Sequence, residues 1–147
     1  MSKEACPLVP PGEYQRQLNL LREVKTIAVI GMSPNPERPS HEVGLYLRDK
    51  GYVVIPVHPA AREIAGLKVY PSLTAAAAAH REIDLVDLFV AGDRTGPIVE
   101  EAHRLGLRRI WFQPGAENEA AEKLAVTLGL EIVTRACTMA VLQRSQE

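Results

Sequence analysis

One cadence recurs three times along this chain and restricts its architecture more than any other feature. An apolar stripe at helical spacing ends in glycine, a short spacer follows, and a β-branched or apolar run begins. The first instance is Val43, Tyr46 and Leu47, then Gly51, then Val53-Val54-Ile55. The second is Ile98, Val99, Ala102 and Leu105, then Gly106, then Ile110-Trp111-Phe112. The third is Ala121, Leu124, Ala125 and Leu128, then Gly129, then Glu131-Ile132-Val133. Glycine after a helix takes the left-handed conformation without a Cβ clash, so the chain can turn back. Helix, stop, strand, repeated, is the signature of βα alternation around a parallel sheet.

Other segments fit the same plan. Thr26 to Gly31 is a short continuous apolar run closed by glycine, as in a parallel strand covered on both faces. Leu67-Lys68-Val69-Tyr70, closed by Pro71, and Leu85 to Phe89 read as two more strands. Tyr14 to Glu23 reads as a helix, and Ser72 to Ala79 as another with Ser72 near its N-cap. Pro7, Pro10, Pro11 and Gly12 make residues 1–13 a flexible lead-in, leaving 14–147 as one domain. The expected fold is α/β, a single doubly wound, mostly parallel sheet of five or six strands. Its expected order is 3-2-1-4-5, with helices on both faces and right-handed crossovers.

Composition removes several functional classes. The chain has 147 residues, and 17 Lys+Arg against 18 Asp+Glu give a net charge of -1, without the basic excess of a nucleic-acid binder. Two cysteines, Cys6 and Cys137, make no disulfide framework, and low cysteine use fits a reducing compartment. The start lacks an apolar signal region, and Ala75–Ala79 is too short to span a bilayer, so the expected location is the cytoplasm. Neither an H-x-x-x-H pair nor a Cys/His cluster occurs, so no metal is expected.

In an open doubly wound sheet, ligands sit beyond the carboxyl ends of the strands. The loop after the first strand runs from Gly31 through Met32, Ser33, Arg38 and Pro39 to Ser40. Ser40 is the expected N-cap of the next helix, whose free N–H groups and dipole suit phosphate. Ser33 and Ser40 add hydroxyls, and Arg38 a charge-assisted donor. Read for function, the loop is a pyrophosphate cradle; the alternative is an ordinary solvated βα loop. It lacks both G-x-x-x-x-G-K-[ST] and G-x-G-x-x-G. NAD sites place an acid at the end of the second strand. Here His58 stands there, followed by Pro59 and Arg62, and a basic residue nearby suits a phosphorylated ribose.

The pieces Ile27–Ser33, Arg38-Pro39-Ser40, Gly51–Val57, Val69–Leu73, Asp84, Asp87, Phe89, Trp111–Gly115, Arg135 and Cys137 carry a resemblance in their order and spacing. They resemble the small stand-alone CoA-binding proteins, which consist of the Rossmann-type CoA-binding domain also found in the α subunit of succinyl-CoA synthetase. The resemblance covers about Leu20 to Leu142. It implies coenzyme A or an acyl-CoA as ligand, with Gly31, Ser33 and Ser40 facing the pyrophosphate and Met32, Arg38 and Pro39 in the same loop. It implies Val57, His58, Pro59 and Arg62 around the adenosine, with Arg62 the first choice for a 3′-phosphate contact. Val90 and Ala91 would line the nucleotide wall, and Gln113 and Gly115 would lie nearer the pantetheine. Two departures stand out: His58 where many members have Asn, and Val90-Ala91-Gly92-Asp93-Arg94 where members often have Arg directly after the phenylalanine. The synthetase reaction needs a second domain with a phosphorylated histidine, and no such domain fits in this length. The resemblance therefore implies CoA binding without the ligase reaction, and the expected function is non-catalytic binding.

The remaining polar residues have structural expectations. His41 is expected to be solvated or on phosphate, and His80 and His103 at the surface. Asp87 lies inside an apolar run and should be hydrogen-bonded if buried. Cys137 is expected to be a buried thiol, with a mixed disulfide to CoA as the alternative. Trp111 and Phe112 are expected in the core. The competing functions are an NAD(P)-dependent oxidoreductase and a regulatory or interaction protein that responds to CoA.

Overall fold

Helices and strands alternate along most of the chain, as the cadence requires, with a short hairpin inserted after the second strand. In a computed structural model, which describes residues 11–146, helix α1 (Glu13–Glu23) leads into strand β1 (Thr26–Ile30). Then come α2 (Pro39–Asp49), β2 (Val53–Val57), β3 (Glu63–Ile64), β4 (Leu67–Lys68), α3 (Leu73–Ala79) and β5 (Leu85–Leu88). A 3-10 turn (Gly92–Arg94), α4 (Thr95–Arg104), β6 (Arg109–Phe112), α5 (Glu119–Thr127), β7 (Glu131–Thr134) and α6 (Thr138–Arg144) complete it. Most of the lead-in, with Cys6, lies outside the described residues.

Five strands form one sheet in the order β2-β1-β5-β6-β7, with every pairing parallel. Strand alternation sends side chains to two cores. Ile27, Val29, Leu85 and Trp111 join α1, α2 and α6 on one face. Ala28, Ile30, Val86, Leu88, Ile110 and Phe112 join α3, α4 and α5 on the other. Trp111 and Phe112 are fully buried, and Trp111 Nε1 donates to Ala136 O at 2.7 Å.

The three helix-ending glycines behave alike. Gly51, Gly106 and Gly129 have φ of 102, 80 and 85°. At each, the next residue's N–H reaches back five positions: Tyr52 to Leu47 O, Leu107 to Ala102 O and Leu130 to Ala125 O. That is the Schellman closure, and it explains why the cadence is written so plainly in the chain.

The expected third strand needs correction. Leu67-Lys68 pairs antiparallel with Glu63-Ile64 in a separate hairpin. Ala65 and Gly66 both have positive φ, 52 and 81°, as a two-residue hairpin turn requires. Only Tyr70 reaches the main sheet, through a single parallel bridge to Val57. The run thus lies beside β2, where the expected order puts it, but Pro71 and the tight turn stop it extending the sheet.

Candidate functional site

A cleft opens where strand order reverses. Successive crossovers leave β1 on opposite sides, to β2 and then to β5, and the loops at their carboxyl ends diverge. Gly31 forms the floor. A Cβ there would sit 2.8 Å from Phe89 O, and its φ is 88°, so glycine is required both for the turn and for the close approach of the two strand ends.

The cleft has two lobes that share Gly31, His58, Phe89, Val90 and Ala91. One, of about 410 Å³, is polar, with Ser33, Arg38, Pro39 and Ser40 on one side and Pro114, Gly115 and Ala116 on the other. The second, of about 430 Å³, is walled by Ile30, Val57, Pro59, Pro71, Leu73 and Ile98, with Ser72, Arg94 and Glu101 also lining it.

The polar wall is a braced loop. Helix α2 starts with Pro39 at its first position and Arg38 as N-cap, so Ser40 is not the expected N-cap. Ser40 is instead buried in the first turn, and its Oγ accepts the Ser33 N–H at 2.9 Å. Ser33 Oγ accepts from Asn35 N, and Asn35 Oδ1 from Glu37 N. His41 is buried rather than solvated, with Nδ1 2.8 Å from Ser33 O. These bonds hold the loop against the helix and leave the Arg38 side chain exposed at the cleft. Behind it, Gly44 lets α2 lie close over Met32, whose Cε would be 2.6 Å from an added Cβ.

His58 is similarly fixed. Its Nδ1 accepts from Ala60 N and Ala61 N at 3.1 and 3.0 Å. That makes Nε2 the protonated nitrogen of the neutral ring, a donor available to a ligand.

Three expected contacts lie elsewhere. Met32 is fully buried beneath α2, because its side chain points into the helix-covered face rather than out of the strand tip. Gln113 is also fully buried: Nε2 donates to Thr138 Oγ1 at 3.2 Å and to Asp87 Oδ2 at 3.4 Å, and Oε1 accepts the Thr138 N–H. Arg62 is exposed and lines neither lobe, since the chain after Pro59 turns away into the β3–β4 hairpin. The cleft also takes Pro71, Ser72, Leu73, Phe89, Arg94, Ile98, Glu101, Pro114 and Ala116, none of which the sequence alone assigned to the ligand.

The other polar residues lie outside both lobes. Asp84 accepts from Lys25 N and Thr26 N and so pins the start of β1. Asp87 has no exposed surface, and burial pushes its carboxyl well above the usual carboxylate range, with a Thr138 hydrogen bond opposing this. Burial likewise raises the Cys137 thiol, which is half-buried at the N-cap of α6 and lines neither lobe. His80 is partly buried rather than a free surface residue, its Nε2 3.0 Å from Tyr70 Oη. Among the described residues no cluster of three His, Cys, Asp or Glu could hold a metal, and no helix is long and apolar enough to cross a membrane.

Residues 25–143 match the CoA binding domain family. The chain belongs to that family. The uncharacterized protein YneT of Bacillus subtilis (strain 168) is 32% identical over 118 residues, which cover 80% of this chain and 85% of that protein. A hypothetical protein from Pyrococcus horikoshii OT3 is 37% identical, with a TM-score of 0.84 over 91% of this chain and 92% of its own. An acetyl-coenzyme A synthetase 1 from Ca. Korarchaeum cryptofilum shares the fold alone, at 23% identity and a TM-score of 0.61 over 74% of this chain and 25% of its own.

Proposed function

We propose that this protein binds coenzyme A or an acyl-CoA without transforming it, with the pyrophosphate held by the Gly31–Ser40 loop and the start of α2. The division of the cleft carries this reading. A polar lobe with Ser33, Arg38 and Ser40 adjoins an apolar lobe walled by Val57, Pro59, Pro71 and Leu73. A ligand that fills both has a flat apolar base at one end and an anionic group beside it. Nucleoside diphosphates have that form, and the family selects CoA among them. The positive end of α2 and the Arg38 guanidinium both favour a diphosphate.

Two features support binding over turnover. The imidazole of His58 and the carboxylate of Glu101 in the lining are each tied to backbone N–H groups, of Ala60 and Ala61 and of Thr74. The buried Asp87 and the Cys137 thiol belong to neither lobe. His58 at the end of β2, where NAD sites carry an acid, also counts against a dinucleotide oxidoreductase.

Calorimetric titration with CoA, acetyl-CoA, NAD and NADP tests the proposal. CoA should bind and NAD should not. Arg38→Ala should cost about 1.5–3 kcal/mol, the worth of a hydrogen bond to a charged group, or roughly 10- to 150-fold in affinity. Binding of NADP without CoA, or CoA binding unaffected by Arg38→Ala, would overturn it.

A further inference from the structure

The apolar lobe contains a cation that its packing does not require. Arg94 ends the 3-10 turn, is exposed, and lines this lobe. No ion pair among the described residues engages it, and its side chain caps no helix. Its backbone is nevertheless firmly placed. A Cβ on Gly92 would fall 2.2 Å from Glu117 O, so the turn packs backbone against backbone on the segment before α5. Buried Thr95 donates its hydroxyl to Gly92 O at 2.7 Å, and Arg94 N donates to Ala91 O at 2.9 Å. The other charged group of the lobe is already used. Glu101 Oε2 accepts from Thr74 N at 2.8 Å and from Thr74 Oγ1 at 2.5 Å, which ties it to the first turn of α3.

We infer that Arg94 binds the phosphate monoester on the ligand's ribose and so selects a 3′-phosphorylated nucleotide over its dephosphorylated form. The inference rests on the CoA reading and adds the residue that reads this group. Coenzyme A carries two separate anions, the diphosphate and the 3′-phosphate of its adenosine. The cleft carries two arginines, Arg38 in the polar lobe and Arg94 in the lobe suited to the base. A guanidinium offers two parallel donors to a phosphate, which makes it selective as well as attractive. Arg62, the sequence-based choice for this contact, lines neither lobe.

The test is calorimetry of the full chain and of its Arg94→Ala, Arg94→Lys and Arg62→Ala variants with CoA and dephospho-CoA. The parent should prefer CoA by about tenfold or more, in keeping with one charged hydrogen-bonded pair. Arg94→Ala should remove most of that preference by weakening CoA while dephospho-CoA changes less than about twofold, and Arg94→Lys should keep part of it. Arg62→Ala should leave both affinities unchanged. Equal losses for both ligands in Arg94→Ala would assign Arg94 to the diphosphate or to the fold and overturn the inference. A parent-like preference in Arg94→Ala, or its collapse in Arg62→Ala, would do the same while leaving CoA binding intact. A parent that binds neither ligand would instead refute the CoA reading on which the inference stands.

Discussion

Gly31, just past the end of β1, and Asp87, on the neighbouring β5, show how one residue can define a site and another strain a core. Gly31 is legible from the chain because a glycine closing an apolar run has few other uses. Asp87 is legible as an anomaly, a carboxyl inside Leu85-Val86-Asp87-Leu88, and its burial bears that out. It faces the core of α1, α2 and α6, where Oδ2 meets Gln113 and Oδ1 has no partner among the described residues. Burial raises its folded pKa, so it favours the fold most at low pH, below the unfolded value of about 3.9. As pH rises past that value the unfolded chain releases this proton while the folded chain keeps it, and stability falls up to the folded pKa. Asp87→Asn removes the titration and keeps an acceptor for Gln113. The variant should gain stability over its parent progressively as pH rises from about 4 towards the raised folded pKa. Urea denaturation followed by Trp111 fluorescence at several pH values measures this. A pH-independent difference between the two would show that the carboxyl does not titrate as its burial requires.

Helix α2 carries the loop, and its first turn shows what element-level patterns conceal. Pro39 and Ser40 both advertise a helix start, but proline at the first position displaces the cap to Arg38. Ser40 is then free to brace Ser33 across the loop. Ser40→Ala leaves the Ser33 N–H without that acceptor. It should destabilise the protein by about 1 kcal/mol, in the range of a lost cap or an unsatisfied donor. It should also weaken CoA several-fold, because the loop loses its fixed shape. Denaturation and calorimetry on one preparation check both, and an unchanged CoA affinity would mean that the loop needs no such brace. The helix ends were readable because a left-handed glycine is a local requirement. The β3–β4 hairpin was not, because Ala65-Gly66 lacks the Asn-Gly or Asp-Gly signal and a short apolar run does not declare its partner.

At the scale of the whole molecule, the parallel order β2-β1-β5-β6-β7 gathers residues far apart in the chain at one sheet edge. The strand tips Gly31, Val57, His58, Val90 and Ala91 were predictable from that order, and all line the cleft. Pro71, Leu73, Arg94, Ile98 and Glu101 were not, because they reach it from helix starts and a helix face whose orientation depends on packing. Met32 and Gln113 mark the opposite error. Both lie at strand tips, yet their side chains turn into the core. If the two lobes hold one CoA molecule, a crystal structure of the protein soaked or co-crystallised with CoA will show it there. The diphosphate should lie within hydrogen-bond reach of Ser33, Arg38 or Ser40, and the base between Val57, Pro59 and Leu73. A diphosphate bound away from the Gly31–Ser40 loop, or a base outside the apolar lobe, would contradict it.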